Sequence, residues 1–308
     1  MKYSRACIFA ALLSASAVAA QPSDQEPSES SGIQERNVCE GDCVASNSWA
    51  VGAALGYGKY SSPLHSGAGL SGKGHSGQER HIAFLPSFYV YADNFYIENT
   101  AIGYTLFEDQ FWSIDIKGEL NPDGVYFQRN KLDAFLSTTG SAGLFPLPYP
   151  DEDTEPKDIE RSLSYLGGVG VDYYPNASWR LSIDLLTDIS AVHHGQKLGL
   201  GLAYQNQFGD LTYQLSTGAQ YRSQALNDYY YGVENGELIY RSPAYLADAG
   251  WNLNYELNFN YPIYEKFAVI GRYQYQDLSE QIVLSPLVED NSTHYYFIGV
   301  SWQIGGGF

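Results

Sequence analysis

From Trp49 onward the chain alternates large apolar residues with polar ones at a period of two. The clearest stretch is WNLNYELNFNY, 251–261. Trp251, Leu253, Tyr255, Leu257, Phe259 and Tyr261 share one face, and Asn252, Asn254, Glu256, Asn258 and Asn260 share the other. Successive strand side chains point to opposite faces, so such a segment is a half-buried strand. SWRLSIDLLTDI sets Trp179, Leu181, Ile183, Leu185 and Ile189 against Arg180, Asp184 and Asp188. FWSIDIKGEL sets Trp112, Ile114, Ile116 and Leu120 against Asp115, Lys117 and Glu119. In KFAVIGRYQYQ, Phe267, Val269, Tyr273 and Tyr275 oppose Arg272 and Gln274. Every charge falls on the face away from the aromatics. A soluble sandwich also alternates, but its strands run only about five or six residues. These segments approach the roughly 9–11 residues of a membrane-crossing strand.

The pattern predicts strands at about 48–59, 81–92, 95–106, 110–120, 164–174, 178–190, 197–208, 210–223, 248–261, 266–277 and 294–304. Short turns lie at Asp93-Asn94, Pro175-Asn176-Ala177, Gly209-Asp210 and Tyr264-Glu265-Lys266, and long connections at about 60–80, 224–247 and 278–293. Outer-membrane barrels place short turns in the periplasm and long loops outside, with an even number of strands. Counted from either end, the segments at 110–120 and 164–174 run the same way, so one strand is missing between them. VYFQRNKLDAFL, 125–136, after the turn NPDG, is the expected twelfth strand. The expected fold is all-β: a transmembrane antiparallel up-and-down β-barrel of about 12 strands over residues 47–308.

The start of the chain agrees with export. MKYSRACIFAALLSASAVAA has a basic start at Lys2 and Arg5, a short apolar run and small residues at Val18-Ala19-Ala20. It reads as a signal peptide, residues 1–20, too short for a membrane helix. Losing Lys2 and Arg5 takes 17 Lys+Arg to 15 against 35 Asp+Glu, a net charge of −20. Nucleic acid is thereby disfavoured as a partner, because phosphates need basic neutralisation. Residues 21–46 are polar, acidic and poor in aromatics, and read as a disordered periplasmic leader. Within it, CEGDC holds Cys39 and Cys43. Export favours a small-loop disulfide between them; two idle thiols are the alternative, and two thiolates with no nearby His make only half a zinc site.

The end reads HYYFIGVSWQIGGGF, 294–308. In steps of two back from Phe308 come Gly306, Ile304, Trp302, Val300, Ile298 and Tyr296. A greasy last strand with a terminal aromatic resembles the signal that hands barrels to the barrel-assembly machinery; Phe308, Trp302 and Ile304 would carry it.

The inward face of the predicted strands holds Asp115, Glu119, Asp172, Asp184, Asp188 and Glu256 against Lys117, Arg180 and Arg272. These nine form an expected lumen polar network with a mild negative surplus. As pairs they fill a closed or very narrow lumen; as a lining they favour cations. His193-His194 near Asp188 reads as solvated polar residues in an external connection. No GxSxG, HExxH or phosphate loop appears, so no catalytic, cofactor-binding or metal residues are assigned and no cofactor is expected.

Several ordered pieces resemble the MipA/OmpV family of outer-membrane proteins. They are LPSFYVYADNFYIENTAIGYTL (85–106), His194-Gly195 after a strand ending in DIS, DYYYGV (228–233), PAY…AG (243–250) and SPLVED…YYFIGVSW (285–302). The resemblance spans about 49–308. It implies a monomeric barrel in outer-membrane lipid. It also implies a scaffold role, since one family member is described as linking a lytic murein transglycosylase to a penicillin-binding protein. Others are described as porin-like, adhesive or antigenic, so a narrow small-solute channel and a surface adhesin stand as alternatives to a non-enzymatic scaffold. The acidic cysteine-bearing leader, the insert around 137–163 and the triple glycine before Phe308 depart from the family pattern.

Overall fold

In a computed structural model of the chain, residues 47–64, 83–127, 161–234 and 244–307 are described. The leader with Cys39 and Cys43, most of the 137–163 insert, and Phe308 lie outside them. Twelve antiparallel strands close into one barrel. They are β1 (Ser48–Tyr60), β2 (Ala83–Ala92), β3 (Phe95–Glu98), β4 (Ala101–Glu108), β5 (Trp112–Leu120), β6 (Tyr165–Asn176), β7 (Trp179–Asp188), β8 (Gln196–Phe208), β9 (Leu211–Arg222), β10 (Gly250–Tyr264), β11 (Phe267–Asp277) and β12 (Ser292–Gly307). Each pairs with its sequence neighbours, and β1 meets β12 from Ser48↔Gly307 to Tyr60↔Tyr295, so no sheet edge is left at the seam. A closed barrel is the β-structure that satisfies its backbone groups inside a bilayer.

The alternation becomes an outside and an inside. On β10, Trp251, Leu253, Tyr255, Leu257 and Tyr261 are exposed on the outer wall, while Asn252, Asn258 and Asn260 are buried within. On β12 the outward column is His294, Tyr296, Ile298, Val300 and Trp302; Tyr295, Phe297, Ser301 and Gln303 point inward and are buried. Exposed Leu, Ile, Val and aromatic side chains around a whole barrel are the surface a hydrocarbon solvent requires.

The twelfth strand is not where the pattern placed it. β5 pairs directly with β6, Trp112↔Tyr173 through Leu120↔Tyr165, which leaves no place for a strand between them. Pro122–Phe127 is a 3-10 helix instead. The extra strand comes from 95–106, which turns back at Asn99-Thr100 into β3 and β4. Asn99 has φ 52°, a left-handed conformation that Asn tolerates better than most residues. Its backbone N–H donates to Phe88 O and its side-chain Oδ1 accepts from Phe88 N–H, both at 2.9 Å, so one residue closes both bonds that β2 offers at this point. Tyr165 lies over Gly118, where a Cβ would sit 2.5 Å from its ring, and its hydroxyl donates to Thr100 O at 3.0 Å. The low part of the wall at β3–β4 is fastened by those contacts.

Tight turns β2–β3, β6–β7, β8–β9 and β10–β11 lie at one end with the start of β1 and the end of β12. Gly209 in the β8–β9 turn has φ 61°, which glycine adopts without strain. At the other end the long connections fold into a second layer.

Candidate functional site

The long-loop end carries its own apolar core. Leu64 comes from the β1–β2 connection and Phe127 from β5–β6. Leu226, Tyr230, Tyr231, Val233 and Ala247 come from β9–β10, and Leu278, Ile282, Leu287 and Val288 from β11–β12. Tyr230, Ile282 and Ala247 have no accessible surface. Two short helices frame this core: α1 (Gln224–Tyr231), which starts two residues after β9 ends, and α2 (Glu280–Val283). Loops knit to one another: Leu64 bridges Val288, Glu289 N–H donates to Pro63 O at 2.8 Å, and Ser285 Oγ donates to Tyr231 O at 2.5 Å. Loops that merely hang in solvent bury no such cluster. This layer is a cap across the external mouth.

A buried ion pair fastens cap to barrel. Arg222, the last residue of β9, donates through Nη2 to Asp123 of the 3-10 helix, and both side chains are nearly inaccessible. Arg222 Nε also donates to Asn227 Oδ1 at 2.8 Å, and Tyr231 OH donates to Asp123 Oδ1 at 2.9 Å. Asn227 Nδ2 in turn reaches Asp248 O at 2.8 Å. Arg222 closes the polar column Thr212, Gln214, Ser216, Gly218, Gln220 of its own strand. It was therefore visible by alternation, but its partner lies 99 residues away in a loop.

Asp188 serves the cap rather than the barrel interior. Its Oδ2 accepts from the backbone N–H of His193 (2.7 Å) and His194 (2.9 Å), and its Oδ1 accepts from Ser190 N–H and Oγ–H. His193 is not solvated as the sequence reading expected: its side chain is fully buried, while His194 beside it is more open. His193 Nε2 lies 3.0 Å from Ser164 Oγ, and Asp188 Oδ2 lies 3.8 Å from His193 Nδ1. These are the residue types of a nucleophilic triad, yet the protons are wrongly placed for one. Gly195 N–H donates to His193 Nδ1 at 2.8 Å, so Nδ1 carries no hydrogen and Nε2–H faces Ser164. A base must present a bare nitrogen to the serine hydroxyl. Ser164 is itself almost inaccessible and accepts a hydrogen bond from Tyr230 OH at 3.0 Å. The cluster is a lock joining β6, β7 and α1.

Burial holds the His193 imidazole below histidine's ordinary range, against the upward pull of Asp188 and Asp123, and Arg222 and His194 add to the depression. A base whose folded pKa is depressed stabilises the fold above its unfolded value, near 6.5, and loses that contribution as pH falls through the folded value. Protonation also removes the acceptor of Gly195 N–H. Acidification from pH 7.5 to 5 is expected to raise hydrogen exchange of residues 189–195 and 224–231, corrected for intrinsic rates. His193→Gln should flatten that dependence; equal pH slopes in both proteins would exclude His193 as its source.

Inside the barrel, the predicted network residues come together with others the pattern had not singled out. Lys117 pairs with Asp184, Arg180 Nε lies 3.9 Å from Asp172, Lys197 pairs with Glu119, and Arg272 Nη2 lies 3.2 Å from Glu256. Glu98, missed because its segment was read as one strand, accepts from Tyr91 OH. Asp115 accepts from Ser113 Oγ at 3.3 Å. In this network Lys117, Arg180, Lys197 and Arg272 thus face Glu98, Asp115, Glu119, Asp172, Asp184 and Glu256. The pairs at Lys117–Asp184 and Arg272–Glu256 retain about a quarter of their side-chain exposure. Across the lumen, Ala54, Ala83, Ala268, Ile270, Tyr295 and Phe297 form an apolar inner wall. Trp302 and Ile304 stand on the outward column of β12.

Residues 66–304 match the family described as MltA-interacting protein MipA. The chain belongs to this family. Relatives of the chain include the putative outer membrane protein YiaT of Escherichia coli O157:H7, 22% identical over 244 residues, covering 78% of this chain and 89% of the relative. The MltA-interacting protein of Escherichia coli K12 is 23% identical over 256 residues, covering 82% and 94%. Among solved structures, the NanC porin aligns over 83% of this chain and all of its own, at 13% identity and a TM-score of 0.38. This MipA-family chain is an outer-membrane barrel, and its cap is built in part from the stretches DYYYGV and SPLVED.

Proposed function

We propose that this protein is a non-enzymatic outer-membrane anchor that holds peptidoglycan-processing proteins at the periplasmic side of the membrane. The carrying observation is the packed cap. Among the described residues it draws on four loops at the external mouth, which speaks against the open outer vestibule of a general porin. The short-turn end, with the start of β1 and the leader before it, then remains the natural side for protein contacts. The name of one relative, MltA-interacting protein, supports a murein transglycosylase as the partner class, and the family resemblance adds a penicillin-binding protein as the second expected member of the assembly. Cross-linked envelopes from which the tagged full chain is purified should yield a transglycosylase, and deletion of residues 21–46 should reduce that yield. Recovery of no peptidoglycan enzyme would sink the proposal, and labelling of Ser164 by a fluorophosphonate would sink its non-enzymatic part.

A second reading has one observation behind it. The interior ion pairs are partly exposed and carry two surplus acids, which suits a narrow cation path. Planar-bilayer recording of folded protein separates the two: the anchor reading expects silence.

A further inference from the structure

The outer wall of the barrel is uncharged over most of its height, and that makes its one basic spot conspicuous. Among the described residues, Lys59 is the single Lys or Arg on the outward face of a strand; Lys117, Arg180, Lys197, Arg222 and Arg272 all point inward. Lys59 lies at the long-loop end of β1, directly opposite Tyr296 of β12, which is opposite Tyr273 of β11. His294 stands two residues beyond Tyr296 on the same face, opposite Tyr275. Diagonal neighbours of this kind have Cβ atoms roughly 7 Å apart, within reach of one phosphate group between a lysine and an imidazole.

We propose that this patch binds the phosphorylated headgroup of a lipid in the external leaflet. Going outward along β12, the wall changes from Val300 and Ile298 to Tyr296 and then His294; along β1 it changes from Leu55 to Tyr57 and then Lys59. Hydrocarbon, aromatic belt and cation follow in the order in which a lipid presents acyl chain, interface and phosphate. Tyr57 and Tyr296 stack at 5.9 Å and the Tyr275 and His294 rings lie 4.9 Å apart, which makes a firm floor. His294 is pinned by its backbone: its N–H donates to Ser61 Oγ at 2.6 Å and its carbonyl accepts from Ser61 N–H at 2.9 Å.

His294 Nδ1 and Tyr273 OH are 3.1 Å apart. If the hydroxyl donates, Nε2–H is free for a phosphate oxygen; if Nδ1–H donates, the hydroxyl hydrogen is free. Either tautomer leaves one donor beside the lysine charge. Asp277 also faces outward, one diagonal farther toward the loops, opposite Ser292. Its carboxylate repels a phosphate, so the seat lies on the Lys59 side of His294.

The test uses the refolded full chain in a neutral detergent and native mass spectrometry with three probes: bisphosphorylated lipid A, its phosphatase-treated form, and inorganic phosphate. Wild type should retain lipid A over the dephosphorylated lipid, and Lys59→Gln should cut retention roughly fivefold, the factor given by about 1 kcal/mol per surface cation. His294→Gln should also lower it, Lys59→Arg should keep it, and Lys266→Gln, at the short-turn end, should leave it unchanged. Mobility shift on boiling checks that each variant is folded. Equal retention of the two lipids, indifference to both Lys59→Gln and His294→Gln, or displacement by inorganic phosphate would each overturn the proposal.

Discussion

Replacing Arg222 with methionine is expected to unfasten the cap while leaving the barrel wall assembled. The change strands the Asp123 carboxylate in a site almost without solvent, with Tyr231 OH as its remaining side-chain donor. Removing one partner of a buried pair costs about 3–5 kcal/mol, because the other charge stays desolvated and uncompensated. Asn227 loses its Nε donor as well, which loosens α1. None of these groups belongs to the strand ladder, and β9 keeps its backbone bonds to β8 and β10 at this position, Lys197↔Arg222 and Gly250↔Arg222. Hydrogen exchange should therefore rise in residues 121–127 and 224–231 and stay low through the strands. Adding Asp123→Leu removes the stranded charge and should recover part of the loss. Unchanged protection of the two cap segments in Arg222→Met would mean that the apolar core alone holds the cap.

The same comparison separates what the chain announces locally from what it does not. β10 was readable because a strand's two faces meet two different media, and eleven residues in a row repeat the contrast. The hairpin of β3 and β4 was readable too, in a subtler way. Phe95 and Ile97 face outward at odd positions, whereas Ile102, Tyr104 and Leu106 face outward at even ones. A two-residue turn shifts the phase by one, and that slip is its mark. Treating 95–106 as a single strand hid the slip and moved the missing strand to 125–136, though the parity argument gave the total correctly. The interior residues Asp115, Lys117, Glu119, Asp172, Arg180, Asp184, Glu256 and Arg272 were visible by phase alone. Their pairings were not, because an ion pair such as Lys197–Glu119 depends on which strands meet across a lumen. The cap was hidden altogether. Its core draws one or a few residues from each of four connections, with no period to betray them, and His193 looked like any loop histidine until Ser164 and Gly195 closed around it.

Leu257→Arg should be among the most damaging single changes to the wall, and its neighbour supplies the control. Leu257 is the eighth residue of β10, on the outer face, flanked by Leu215 of β9 and Tyr273 of β11. An arginine on the lipid side near mid-height costs about 2–4 kcal/mol, since no water or counter-charge lies within reach in hydrocarbon. Asn254 is three residues away, faces inward, and is flanked by Gly218 and Gln276. There an added arginine finds space beside a glycine and a polar neighbour, and the expected cost is about 1 kcal/mol or less, typical of a tolerated site. Both variants are unfolded in guanidine from lipid vesicles and followed by mobility on unboiled gels and by tryptophan emission. A large loss for Leu257→Arg beside a small one for Asn254→Arg assigns the apolar face to lipid. Equal losses would instead mean that the outer face meets no medium more apolar than the inner one, and the barrel's placement in a membrane would fail with it.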